Sequence, residues 1–316
     1  MNVLDQTFGN GWALFHGDSC EVISGITDNS IHYSIFSPPF ASLFTYSDSD
    51  RDMGNCKDGG TFADHFGFLV PELYRIMMPG RLVSFHCMQL TATLNRDGFM
   101  GMKDFRGDLI RVFEKAGFIY HSEVCIWKDP LVQATRTKAL SLAHKQISKD
   151  SSRCAMGLPD YVVTMRKPGE NPEPIAHGRG FETYYGETPE PSDHKTDNAR
   201  TNKYSHHVWQ RYASPVWFDI NQTNTLNAVQ ARDGRDEKHV CPLQLDTIAR
   251  CLELWSNPGD TVFSPFSGIG SEGYQSILMG RNYVGVELKQ SYYDTAIKNM
   301  VRAENVSGTR QMEMFA

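Results

Sequence analysis

Thr261-Val262-Phe263-Ser264-Pro265-Phe266-Ser267-Gly268-Ile269-Gly270 is a short apolar run that stops at a glycine-rich turn. A helix-like stretch, Glu272 to Met279, follows, and then a second apolar run, Tyr283-Val284-Gly285-Val286-Glu287. Strand, loop, helix and strand in that order predict a parallel β–α–β unit. Glycines let the backbone approach a ligand closely, and a helix N-terminus favours electron-rich groups. Glu287 closes the second strand about twenty residues beyond the turn, a spacing at which a carboxylate can hold two ribose hydroxyls. The G-x-x-x-x-G-K-[ST] pattern is absent, which argues against a nucleoside triphosphate. Gly268 and Gly270 match the start of G-x-G-x-x-G, but Gly273 fills its third place only if the helix packs loosely. A nucleoside cofactor without a pyrophosphate fits the loop better.

Working outward, another apolar run, Ile31-His32-Tyr33-Ser34-Ile35-Phe36, ends in Ser37-Pro38-Pro39-Phe40. Two prolines fix φ near about −65° and remove two backbone donors. What remains is acceptors, the Pro38 carbonyl and the Ser37 hydroxyl, with the Phe40 ring beside them. That set suits an exocyclic amino group on a planar ring, which Phe40 would stack upon. Accepting both hydrogens localises the nitrogen lone pair. An electrophile held in line at about 3–3.5 Å then reacts, with positioning supplying much of the acceleration. Taken alone, the tetrapeptide reads equally as a Pro-rich turn after a strand.

The rest of the chain alternates. Strands are expected at Trp12–Phe15, Arg81–Cys87, Phe118–Trp127 and Tyr161–Met165, and helices at Phe62–Met78, Gly107–Ala116, Pro242–Trp255 and Tyr292–Arg302. Thr135–Ser148 is weakly helical and basic. Ala41–Gly60 reads as a long polar loop, a candidate lid. From Pro168 to about Asn224 the pattern fails, and Pro, Gly, Asn and Asp mix with aromatics such as Phe181, Tyr204, Trp209, Tyr212 and Trp217. We expect an irregular insertion that orders on a partner. The predicted division is 1–167, 168–235 and 236–316, the outer two forming one α/β domain. Its architecture is a three-layer αβα sandwich whose mostly parallel sheet carries one antiparallel hairpin, with both loops at the carboxyl ends of strands.

Composition sets bounds on partners. The chain has 316 residues and a net charge of −6, which argues against a non-specific polyanion binder. Yet Lys128, Arg136, Lys138, Lys145, Lys149, Arg153, Arg166 and Lys167 face only Asp129, Asp150 and Asp160 in the same stretch. This basic middle predicts either a polyanion-facing surface or an ordinary solvated helix face. Seven scattered cysteines, without a C-x-x-C pair, read as reduced thiols, and no Cys/His cluster predicts a metal. The N-terminus lacks a signal peptide and no apolar run approaches the roughly 20 residues of a membrane span, so the cytoplasm is expected. Nothing in the sequence decides whether the chain forms a homodimer.

Together the two blocks resemble the S-adenosylmethionine-dependent amino-group DNA methyltransferases, in the permuted group whose catalytic motif precedes the cofactor motif. The resemblance rests on Gly17-Asp18, Asp28-Asn29-Ser30-Ile31 and Ser37-Pro38-Pro39-Phe40. It continues in Asp246, Trp255 to Gly270, and Gly280 to Glu287. It implies that Ser37, Pro38, Pro39 and Phe40 hold the target base and that Pro265, Phe266, Gly268 and Gly270 line the methionine end of the cofactor. Glu287 would bind the ribose and Asp18 the adenine amino group, although Asp18 equally reads as a turn former. Where the family usually has Asp, this chain has Ser264, which leaves the partner of the cofactor's ammonium group open. That variant looks like a subgroup found in phages and prophages. Serine at the first catalytic position leans towards cytosine N4 over adenine N6. The expected substrate is double-stranded DNA with its target base flipped, and Arg136, Lys138, Lys145, Lys149 and Arg153 are candidate phosphate contacts. Methylation of RNA or protein, and a non-enzymatic DNA-binding protein that kept the fold, are the alternatives.

Overall fold

The computed structural model describes residues 3–39, 59–137, 144–187, 189–227 and 242–315, and structural statements below concern those residues. In chain order the elements begin with β1 (Asp5–Gly9), β2 (Trp12–His16), α1 (Ser19–Val22), β3 (Ile31–Phe36), α2 (Gly59–Ile76) and β4 (Met77–Met88). A small β5 (Leu90–Ala92), α3 (Leu94–Asp97) and β6 (Gly101–Lys103) lead to α4 (Phe105–Lys115), β7 (Ile119–Ile126), α5 (Pro130–Thr137) and β8 (Asp160–Arg166). Then come α6 (Lys203–Tyr212), β9 (Val216–Trp217), α7 (Leu245–Trp255), β10 (Thr261–Ser264), α8 (Ser271–Leu278), β11 (Asn282–Glu287) and α9 (Gln290–Phe315).

Nine strands form one mixed sheet in the order β1-β2-β11-β10-β3-β4-β8-β7-β9. The run from β2 to β4 is parallel throughout. Both β10 and β3 are almost wholly buried, as strands covered on two faces are. Alternate strand residues enter separate cores, as the two-residue strand period requires. Tyr33, Ile35, Leu82, Val162 and Val262 pack with residues of α7, α8 and α9. Phe36, Val83, Phe85, Val163 and Phe263 pack with α2 and α4. Helices therefore flank the sheet.

Several expectations need correction. The sheet has two antiparallel departures instead of one hairpin: β1 against β2, and β8 against both β4 and β7. The helix expected to reach Met78 stops at Ile76, and β4 begins at once, with Pro79-Gly80 inside it. Gly80 has φ +72°, and a Cβ there would come within 2.6 Å of the Asn171 backbone, so the chain kinks where only glycine fits. Of the weak helix expected over Thr135–Ser148, residues 138–143 lie outside the described residues, while α5 covers Pro130–Thr137 and a single 3-10 turn covers His144–Gln146. Gly117, at φ +101° after α4, does end that helix as expected.

The 168–224 stretch is not structureless. It contains α6, started by Asn202, whose side chain accepts from Ser205 N. It also contains β9, which pairs in parallel with β7 at the edge of the main sheet. Phe181, Tyr204, Val208 and Tyr212 form its own small core, and Trp217 is fully buried. Most of the aromatics thus hold the segment together, although Trp209 and Phe218 remain more than half exposed.

Candidate active site

β10 and β3 are hydrogen-bonded neighbours, with Val262 opposite Tyr33 and Phe263 opposite Ser34. The Ser34 hydroxyl donates to the Phe263 carbonyl at 2.9 Å, locking the register. The loops leaving these strands, 37–39 and 265–270, therefore emerge side by side at their carboxyl ends. Adjacent strands lie about 4.8 Å apart, so the two motifs are direct neighbours. Two further loops converge there. β11 ends at Glu287, and Gly17, after β2, donates its N–H to the Glu287 carbonyl at 3.0 Å. Ser19 Oγ donates to the Pro265 carbonyl.

The glycine-rich loop is tightly held. Ser267 N donates to the Val286 carbonyl at 2.8 Å and Gly270 N to the Ser267 carbonyl at 2.7 Å. Gly268 and Gly270 have φ of +52° and +85°, a region other residues rarely adopt. A Cβ at Gly268 would meet nothing within 4 Å, so the loop borders open space there. Gly273 lies close to the sheet, because a Cβ would come within 2.5 Å of the Tyr283 ring. The helix packs tightly, and Gly268, Gly270 and Gly273 complete the G-x-G-x-x-G spacing that the sequence reading set aside.

Glu287 is engaged with this loop. Its Oε2 accepts from Gly268 N at 2.7 Å and its Oε1 from Lys289 N at 2.9 Å. The carboxylate thus lies directly against the glycine-rich turn. Asp18 caps α1, accepting from Cys20 N at 2.9 Å. Phe266 packs against Phe36 and Phe66, so its ring also serves the core. Ser264 Oγ is fully buried and without a regular hydrogen bond among the described residues. Nearby, in the first turn of α8, Glu272 is buried, and that burial, with the Glu287 charge beside it, pushes its carboxyl up to about 8.

In the catalytic loop, Ser37 is half-buried and Pro38 buried, while Phe40 and the loop after it lie outside the described residues. Ser37 Oγ lies 3.1 Å from His86 Nδ1. His86 Nε2 lies 3.0 Å from Asp160 Oδ2, and Lys128 Nζ 2.5 Å from the same oxygen. The His86 N–H direction is poorly aligned with that oxygen, so the contact is electrostatic first. Burial would raise the Asp160 carboxyl, but His86 and Lys128 outweigh it and hold it below the ordinary range. The sequence reading placed none of these three in the site, counting Lys128 and Asp160 only as charges of the basic middle. Their signal was a polar residue at the end of an apolar strand, which points to Ser37 only once the strand order β3-β4-β8 is known.

The basic middle is only partly a surface. Lys128 faces Asp160, Lys167 is buried against Asn29 and the Met77 carbonyl, and Arg166 donates to the Gly80 and Gly169 carbonyls. Lys145, Lys149 and Arg153 are exposed, Arg153 pairing with Asp150 at 3.2 Å. The Arg136 side chain and Lys138 lie outside the described residues. Elsewhere His32, Glu173 and Asp260 offer ligand atoms within 4.8 Å of one another. Arg81 already sits there, NH1 3.0 Å from Asp260, and supplies the positive charge a metal would bring.

A family model for DNA methylases of the N6/N4 type matches residues 31–298. The type II methyltransferase M.MjaI of Methanocaldococcus jannaschii is 21% identical over 70% of this chain and 61% of its own length. M.HinfI of Haemophilus influenzae is 44% identical over 14% of this chain, which is 12% of that protein. The chain thus spans less than two thirds of these curated relatives. The fold is similar to TTHA0409 of Thermus thermophilus, a DNA modification methylase by assignment, in complex with S-adenosyl-L-methionine. That likeness has a TM-score of 0.62 and 20% identity over 92% of this chain and 95% of that one. It is also similar to the cytosine-N4-specific PvuII DNA methyltransferase, with a TM-score of 0.59 and 13% identity over 97% and 95% of the two chains.

Proposed function

The chain belongs to the DNA methylase family, and from that premise we propose that it methylates the exocyclic amino nitrogen of a flipped base in double-stranded DNA, using S-adenosylmethionine. The observation that carries this reading is the placement of the Ser37-Pro38 and Pro265–Gly270 loops on hydrogen-bonded neighbouring strands. The residues fit the cofactor, since the loop borders open space at Gly268 and the Glu287 carboxylate lies beside it, accepting from Gly268 N. Pro265, Phe266, Gly268 and Gly270 would hold its methionine end, Glu287 its ribose and Asp18 its adenine amino group. When bound, S-adenosylmethionine supplies a methyl group on a sulfonium, a strong electrophile. The chain's own part is to accept the two amino hydrogens on Ser37 Oγ and the Pro38 carbonyl and to hold the nitrogen in line.

The three-layer, permuted reading is part of the proposal, and β3, ahead of β10 in the chain and beside it in the sheet, supports it. Cytosine N4 is the favoured target, because the uncharged Ser37 stands at the first catalytic position; adenine N6 is the alternative. Lys145, Lys149 and Arg153, with the 168–235 segment, are proposed to face the DNA. Nucleotide-resolution sequencing of DNA from cells expressing the protein tests target and recognition sequence together, and 4-methylcytosine in one sequence context is expected. N6-methyladenine would overturn the target base, and no modified base in any duplex would overturn the activity. The buried Ser264, in place of the family's Asp, favours one second reading, a DNA-binding protein that kept the fold. Calorimetry that finds no S-adenosylmethionine binding would support it.

A further inference from the structure

We propose that His86, Asp160 and Lys128 form a relay behind Ser37 that receives the proton released by amino-group methylation, with His86 as the positioning residue. The proposal rests on the reading of Ser37 as base-holding. Four polar side chains from two strands and two loops meet at one end of the sheet: Ser37 after β3, His86 in β4, Asp160 opening β8, and Lys128 after β7. The contacts run 3.1 Å from Ser37 Oγ to His86 Nδ1, 3.0 Å from His86 Nε2 to Asp160 Oδ2, and 2.5 Å from that oxygen to Lys128 Nζ.

The order of the groups sets the direction of proton flow. Asp160 is 2% exposed, and Lys128, 2.5 Å away, favours its ionised form. An ionised carboxylate beside Nε2 favours the tautomer with its proton there. Nδ1 is then the acceptor, and the Ser37 hydroxyl donates to it. Both lone pairs of Ser37 Oγ stay turned outward to receive an amino hydrogen. A serine without His86 behind it could rotate and present its own hydrogen instead. His86 Nε2 and Asp160 Oδ1 lack regular hydrogen bonds among the described residues. Catalytic contacts are often loose before substrate binds and tighten in the complex.

The step balances. The amino nitrogen gains the methyl group as the methyl–sulfur bond breaks, its electrons remaining on sulfur, and the nitrogen then carries one surplus proton. That proton passes to Ser37 Oγ as the hydroxyl proton passes to His86 Nδ1. The products are the methylated amine and a His86 imidazolium paired with the Asp160 carboxylate. The His86 side chain is 11% exposed, with Nε2 buried beside Asp160.

The test uses the full chain. NMR of protein with ¹⁵N-labelled histidine should show His86 protonated at Nε2 and bare at Nδ1, and Asp160→Asn should disturb that tautomer. Single-turnover transfer of labelled methyl to DNA should fall about 100-fold in His86→Asn and Asp160→Asn. Calorimetric affinity for S-adenosylmethionine should stay within about twofold of wild type. Ser37→Ala combined with His86→Asn should be little worse than either alone, because groups that act as a unit are not additive. If circular dichroism shows His86→Asn unfolded, His86→Gln takes its place. Wild-type transfer with an unchanged rate in the histidine variant sinks the relay alone, as does equal loss of cofactor affinity. No transfer by the wild type sinks the methylation reading, and the relay with it.

Discussion

At the scale of the residue, Glu287 and Glu272 show how position divides the work of two acids. Glu287 lies at a strand end and accepts from Gly268 N and Lys289 N. Hydrogen bonds to a charged group contribute about 1.5–3 kcal/mol, so Glu287→Ala should weaken S-adenosylmethionine binding roughly 10- to 100-fold by calorimetry. Ser37→Ala should lower turnover and leave that affinity within about twofold if, as proposed, the serine meets only the base. Glu272 differs. Burial raises its carboxyl from 4.5 to about 8, so the folded state keeps a proton that the unfolded state releases. Its protonated form favours folding, and stability declines as pH rises through that window. Urea midpoints of Glu272→Gln should therefore match wild type near pH 4 and exceed it at pH 8. An unchanged difference across that range would remove Glu272 as the cause.

At the scale of the element, the β10–α8–β11 unit was legible in the sequence almost to the residue. Its apolar runs are short, Gly268, Gly270 and Gly280 sit at positive φ, and local chemistry sets its bounds. Ser37-Pro38 was legible for the same reason. The contacts of His86 and Asp160 with it were not, because they depend on which strands lie side by side. The insertion misread in the other direction: its prolines and glycines hid α6 and β9, which are held by tertiary contacts. Chief among these is Arg250 of α7, fully buried, with NH1 and NH2 each 2.8 Å from an oxygen of Asp219. Its Nε donates to the Tyr185 carbonyl at 2.7 Å, and its guanidinium lies over the Tyr212 ring at 4.9 Å. Burial would raise the Asp219 carboxyl, but Arg250 and the Tyr184 hydroxyl hold it low. Removing one partner strands a buried charge, so Asp219→Ala should destabilise the protein by about 3–5 kcal/mol in urea unfolding. Asp219→Leu with Arg250→Met should lose less than Asp219→Ala alone.

At the scale of the whole molecule, neither half of the chain owns the middle of the sheet. β3 from the first half and β10 from the last are direct neighbours. The long-range strand pairs predict one cooperative transition in which tryptophan fluorescence and far-UV circular dichroism coincide. S-adenosylmethionine at about 100 times its dissociation constant should raise stability by about 2.7 kcal/mol. Noncoincident curves would show that the halves unfold separately.

The Arg250–Asp219 anchor has a consequence for exchange between relatives. The segment carrying Asp219 meets its counter-charge on α7, the helix before β10 and the glycine-rich turn, so it is not a free cassette. A 168–235 graft from another methylase would import its own chemistry opposite Arg250, and without an acid at the right place it would leave that guanidinium stranded in the core. Chimeras of this protein should be soluble when the donor supplies that acid or when position 250 is exchanged with the graft, and not otherwise. The unit that can be traded is therefore larger than the segment itself.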